Sequence, residues 1–222
     1  MVAYLNTDTW ARRDAFEYFR AFDKPYFSVC VRLDVAPLRA ALAARPAGAA
    51  GGLMLACYHL ALCTANAQQP FRLRLENGRV RIHDVVHGST TVLRPDESFG
   101  FAYLQHNTDY TQFASQAAVQ INAARERQAA FEPRVDEAAL LHFTTLPWLH
   151  FSSFSHARNW GREDSVPKLA FGRIEIQGPH QWMPCSVEVH HALVDGLHVG
   201  RYVQALETAL HDPHGWLDGP AA

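Results

Sequence analysis

The sequence predicts an α+β fold, a mixed sheet with helices packed on one side in two layers. Three observations carry that prediction. Phe71–Leu75 and Arg79–Val85 alternate apolar and polar residues and flank Asn77-Gly78, the pair that makes a two-residue hairpin because both central positions need positive φ. Strand-like and helix-like runs are mixed, without the regular alternation of a doubly wound sheet. Leu53–Ala67 is apolar on most sides, as a helix buried in a core must be.

The elements follow in order. Asp8–Phe22 reads as a charged, aromatic helix capped by Asn6, Thr7 or Asp8. Tyr26–Leu33 alternates as a strand. Ala36–Ala44 and Leu53–Ala67 are helical, with the Ala/Gly run 43–52 as a helix end and turn. After the hairpin come strands at Thr90–Leu93 and Phe99–Leu104. Asp109–Ala130 is the longest helical pattern, with Phe113, Ala117, Ile121 and Ala124 on one face. Leu141–Ser153 is β-like and interrupted by Pro147. Lys168–Ile176 and Met183–Val189 are strands joined at Gly178-Pro179. Leu197–Leu210 carries an apolar stripe of Leu197, Val199, Tyr202, Val203, Leu206 and Leu210.

Composition bounds the function. The 222 residues fit one domain, 1–222, and at 48% hydrophobic and 19% charged they can bury a core rather than remain disordered. A net charge of −2 sets nucleic acid aside as a partner. No segment reaches the roughly 20 apolar residues of a membrane span, and the N-terminus lacks the charged and apolar regions of a secretion signal. Cys30, Cys57, Cys63 and Cys185 form no pairing pattern, so reduced thiols in a cytoplasmic protein are expected. Nine of the 13 histidines lie from His142 onward.

The informative stretch is Pro184–Gly196, which contains His190-His191-Ala-Leu-Val-Asp195-Gly196. Strand periodicity sets Ser186, Glu188 and His190 on one face and Val187, Val189 and His191 on the other. If the valines face the interior, so does His191, at the strand end. Burial there would keep its imidazole neutral and fit to accept a proton. Asp195 could orient the ring or hold the loop through a salt bridge. A structural histidine is the plainer reading of one such residue, but the whole pattern rarely arises by chance. No metal is expected: adjacent histidines on a strand cannot both face one ion, and Cys185 has no partner at ligand spacing.

These residues resemble the chloramphenicol acetyltransferase family of CoA-dependent acyltransferases. Trp10-Ala-Arg12-Arg13-Asp-Ala-Phe16-Glu-Tyr18-Phe19-Arg20 is similar to the family's N-terminal motif, Leu146-Pro147-Trp148 with Phe151-Ser-Ser-Phe154 to its central one, and His190–Arg201 to its C-terminal one. The match spans almost the whole chain. The E2-type acyltransferases share the fold, but this chain has no lipoyl domain, and its N-terminal motif is of the other branch. The resemblance implies acetyl-CoA as co-substrate, an antibiotic-resistance activity, and a homotrimer with active sites at subunit interfaces. It implies that His191 is the general base, held in its tautomer by its own carbonyl, and that Arg12 and Asp195 pair to brace it. Thr144 stands at the position of a serine that stabilises the oxyanion; threonine keeps the hydroxyl but restricts χ1. Phe99, Phe131 and Phe154, with Tyr18 and Phe19, stand at acceptor-lining positions, and core packing is their alternative role. Trp148 and Arg173 lie near the CoA tunnel, where a cation suits phosphate.

The acceptor pocket departs from the family. His156 and Arg158 replace apolar residues, Asp164 a tyrosine, Ala170 a threonine, and Phe19 a common tyrosine. His142 stands near Thr144 where an asparagine is usual, and Asp23-Lys24-Pro25 replaces an apolar loop. Such groups suit a polar or charged acceptor, unless they point outward and leave the pocket intact. Three readings result: acetylation of chloramphenicol or a related hydroxyl compound, the same transfer to a polar acceptor, or a non-catalytic trimeric ligand-binding protein. Keeping His191, Asp195, Arg12 and a hydroxyl at Thr144 argues against the last.

Overall fold

The computed structural model describes residues 3–46, 49, 51–126, 137–159 and 163–217. Its strands are β1 (Ala3–Tyr4), β2 (Tyr26–Asp34), β3 (Leu73–Glu76), β4 (Arg79–Ile82), β5 (His87–Leu93), β6 (Phe99–Leu104), β7 (Leu140–Leu146), β8 (Lys168–Gly172), β9 (Glu175–Gln177) and β10 (His180–His190). Its helices are α1 (Arg13–Arg20), α2 (Ala36–Ala43), α3 (Leu53–Asn66), α4 (Tyr110–Glu126), α5 (Gly196–His211) and α6 (His214–Leu217). The main sheet runs β2-β10-β8-β7-β5-β6, with β9 on β10; β1, β4 and β3 form a small second sheet. The β5–β7 and β7–β8 pairs are parallel and the others antiparallel, so the sheet is mixed as predicted.

One face of the main sheet is packed by helices. Tyr58 of α3 stacks on Phe143 at 4.7 Å between ring centroids, and its hydroxyl meets Thr145 Oγ1 at 2.6 Å. Tyr202 of α5 donates to the Ala61 carbonyl at 3.1 Å, joining α5 to α3. Helix α3 is buried from Ala56 to Ala65, which explains why its sequence shows no polar face.

The opposite face, which carries Ser186, Glu188 and His190, is also buried. An irregular segment after β7 covers it. The Phe154 carbonyl accepts from Ser28 Oγ at 3.1 Å and Ser186 Oγ at 3.3 Å, and the His156 backbone N–H donates to Glu188 Oε2 at 3.0 Å. These polar side chains satisfy backbone groups of the covering segment that no ladder serves.

The hairpin prediction holds: Asn77 and Gly78 have φ of 52° and 73°. Several boundaries differ. The first helix is split into a short 3-10 turn at Thr7–Thr9, capped by Asn6, and α1. Trp10 is extended between them, and the break lets Arg12 reach the far end of the chain. Phe71 and Arg72 belong to a 3-10 turn led by Pro70 rather than to a strand, and the partner strand stops at Ile82. The strand expected over Lys168–Ile176 breaks after Gly172. There β10 offers Pro184, which has no N–H for the ladder, and a Cβ on Gly172 would come within 2.6 Å of it.

Candidate active site

The base end of the site is built where β10 meets α5. His190 is the last strand residue, and the His191 N–H donates to the Pro25 carbonyl at 2.7 Å as the chain leaves the sheet. His191 is therefore not buried with the valines. Its side chain is 33% exposed, whereas Val187 and Val189 are fully buried, which corrects the expectation of a buried base. The ring keeps to the valine face, beside Phe27, the cross-strand partner of Val189, but at the open end of the strand. The ring stacks on Phe19 of α1 at 3.8 Å and 10°, with Phe27 at 4.7 Å.

Arg12 braces this turn. Its guanidinium donates to Asp195 through Nε at 2.6 Å and Nη2 at 2.5 Å, a bidentate pair. It also donates to the His191 and Ala192 carbonyls, each at 3.0 Å. The Arg12 hydrogen bonds hold the Asp195 carboxyl below the usual range. Asp195 is first a partner of Arg12, but its Oδ1 also stands 3.4 Å from His191 Nδ1. That nitrogen is shielded from solvent and has no hydrogen-bond partner, the expected bond to the residue's own carbonyl included. The carbonyl is occupied by Arg12.

Two neighbours went unread in the sequence. His198 Nδ1 accepts from the Asp195 N–H at 3.0 Å and fixes the helix cap; its position three residues after an N-cap aspartate was the available signal. His190 Nδ1 accepts from the Ala192 N–H at 3.2 Å, and burial pushes its pKa down to about 4, so its ring is a neutral part of the turn.

The pocket end lies elsewhere. Thr144 of β7 lines a cavity of about 330 Å³ with Phe99, Phe101, Phe154, His156 and Lys168. By strand register Thr144 is opposite Ala170, and Ala170 is opposite Ser186, five residues before His191. At about 3.3 Å per residue and about 4.8 Å between strands, Thr144 and His191 of one chain are roughly 19 Å apart. The candidate residues thus fall into two groups. Phe99 and Phe154 join Thr144; Tyr18, Phe19, Arg12 and Asp195 join His191. Tyr18 is 63% exposed, in an aromatic cluster with Phe19 and Phe22. Phe131 lies outside the described residues. Trp148 is exposed on the turn after β7, and the Arg173 N–H donates to the Leu149 carbonyl at 2.7 Å, so both occupy one corner past the end of β7.

Of the residues that depart from the family pattern, Asp23 and Lys24 are exposed, whereas Arg158 and Asp164 turn inward and are paired. Arg158 Nε donates to Glu188 Oε1 at 2.7 Å and its Nη1 to Asp164 Oδ1 at 3.0 Å. Lys168 Nζ donates to Asp164 Oδ2 at 3.2 Å and to the Ala157 carbonyl at 2.9 Å. Bonds from His156 and Arg158 overcome burial and hold the Glu188 pKa down to about 2, and the two cations hold Asp164 low. His142 lines the same cavity, and burial pushes its pKa down to about 3. Among the described residues no three His, Cys, Asp or Glu side chains gather as a metal-ligand set, and no helix is long and apolar enough to cross a membrane.

Comparison with known proteins meets this geometry from outside. The family model for chloramphenicol acetyltransferase matches residues 2–207. The chloramphenicol acetyltransferase of Streptomyces acrimycini is 29% identical over 97% of this chain and 96% of its own. That of Escherichia coli is 27% identical over 91% of each chain. A solved chloramphenicol acetyltransferase structure superposes with a TM-score of 0.82 at 23% identity, covering 95% of this chain and all of the other. The chain belongs to the chloramphenicol acetyltransferase family of acyltransferases.

Proposed function

We propose that the protein transfers the acetyl group of acetyl-CoA to a hydroxyl of chloramphenicol or a related compound, at sites shared between two copies of the chain. The observation that carries this reading is the braced imidazole. Arg12 holds the carbonyl of His191 and the carboxylate of Asp195, and Phe19 stacks on the ring at 3.8 Å, which restricts its rotation. Its buried Nδ1 faces Asp195, which leaves Nε2 as the nitrogen for proton transfer.

In the proposed reaction Nε2 takes the acceptor hydroxyl proton as the oxygen attacks the thioester carbonyl carbon. The Thr144 hydroxyl donates to the oxyanion that forms. Collapse breaks the carbon–sulfur bond, and the imidazolium returns its proton to the departing thiolate. The products are the acetyl ester and free CoA thiol, and His191 is restored. Trp148 and Arg173, exposed past the end of β7, would meet the CoA portion. The separation of Thr144 from His191 within one chain supports a site in which each comes from a different copy, as in a homotrimer.

The polar side chains that line the cavity beside Thr144, His142 and His156 with Ser89 and Thr91, favour a second reading, transfer to a more polar hydroxyl acceptor. The test is thiol release from acetyl-CoA with chloramphenicol and with a panel of polar hydroxyl compounds. Release that falls by about 10²–10⁴-fold in His191→Ala is expected. Release with polar acceptors alone would move the function to the second reading. No His191-dependent release with any acceptor would leave a ligand-binding protein.

A further inference from the structure

We infer that His156 selects the acceptor: the cavity beside Thr144 takes a neutral, largely apolar hydroxyl compound with one hydrogen-bonding substituent directed at the His156 ring. The inference rests on the acyl-transfer reading above and narrows its acceptor class.

Two observations carry it. The first is charge balance. Arg158 and Lys168 face Glu188 and Asp164, two cations and two anions in mutual contact. Both carboxylates are held in the ionised form. An acceptor bearing a charge would meet no uncompensated opposite charge here and would lose its hydration on entry. Of these four ions Lys168 alone lines the cavity, and it is paired with Asp164, so the network is not a charged receptor.

The second is an unmet hydrogen-bonding capacity. The His156 side chain is 9% exposed and lines the cavity. Neither ring nitrogen has a hydrogen-bond partner. Nδ1 stands 3.8 Å from Glu188 Oε2, beyond hydrogen-bond length. That carboxylate still favours a proton on Nδ1, which leaves the Nε2 lone pair for a donor on the acceptor. Most of the remaining wall is apolar, although Ser89 and Thr91 also line it: Phe154 lies edge-on to His156 at 4.8 Å, with Phe99 and Phe101 beyond. A cavity of about 330 Å³ suits a single ring with a short side chain.

The test uses three acceptors built on 2-phenylethanol, with a para methyl, carboxamide or carboxylate group, and chloramphenicol as reference. The expected kcat/KM for the carboxamide exceeds that for the methyl compound by roughly tenfold, the value of one neutral hydrogen bond, with the carboxylate the poorest of the three. His156→Leu should erase or reverse that preference. His156→Gln should retain the preference, and it serves as the folded control if the leucine variant does not accumulate. A preference unchanged in His156→Leu, or a carboxylate acceptor favoured over both neutral ones, would overturn the inference. So would His191-dependent turnover of chloramphenicol with none of the three acceptors used, which leaves the function standing. Absence of His191-dependent release with all four would end the function reading as well.

Discussion

The two ends of the site are built in opposite ways. At the base end one cation, Arg12, makes four hydrogen bonds, and every partner is a side chain or carbonyl of the His-His-x-x-x-Asp-Gly motif. At the pocket end the polar groups come from five separate stretches of chain: β5, β7, the covering segment, β8 and β10. The first arrangement preserves a reaction geometry and tolerates little change. The second is a packed interior in which polar residues can replace apolar ones provided their charges cancel. On the proposed mechanism, chemistry is concentrated in a local motif and acceptor choice is spread over the fold.

The comparison predicts that the pocket end bears stability while the base end bears rate. Arg158→Met leaves Glu188 and Asp164 buried with too few cations, and should destabilise the protein by about 3–5 kcal/mol in urea unfolding. Joint replacement of Arg158, Glu188 and Asp164 by apolar residues of similar size should recover much of that loss. A comparable loss from Arg12→Met, whose partner Asp195 is 34% exposed, would break the distinction.

A second effect is spread more evenly. Burial, as the main cause, pushes His106 and His190 down to about 4 and His142 to about 3. In the unfolded chain each takes up a proton near pH 6.5, about the ordinary histidine value. Their contribution is therefore fully present above that pH and is lost as pH falls toward 4. Stability at pH 5 should be lower than at pH 7.5 by about 1 kcal/mol or more per histidine. His190→Gln should flatten that dependence slightly. Stability that is constant between pH 7.5 and 5 would contradict the burial of these rings.

How far the sequence reached follows the same division. The Asn77-Gly78 hairpin, helix α3 and the order of strands were legible because each rests on a local pattern of period or turn residues. The Arg12–Asp195 pair was legible only through family resemblance, since the two residues are 183 positions apart. The exposure of His191 was misread because alternation gives the face of a residue and not how far the core extends past the last ladder pair, His190 with Tyr26. The ion network could not be read at all. Arg158, Asp164, Lys168 and Glu188 have no spacing in common, and only the covering segment and the β8–β10 pairing bring them together. Their opposite charges nonetheless match, which a sequence does not show to be mutual.

The central claim is that one working site takes His191 from one copy and Thr144 from another. The direct measurement is complementation between His191→Ala and Thr144→Ala chains, each nearly inactive, carrying different tags and assembled together at equal amounts. Random assembly gives about one site in four with both native groups when the groups come from different copies. Each trimer that carries both tags then has one such site in three, so the account predicts recovery to about a third of wild-type activity in that fraction. Doubly tagged oligomers with no recovered activity would contradict it, because they would require both groups to act from the same chain.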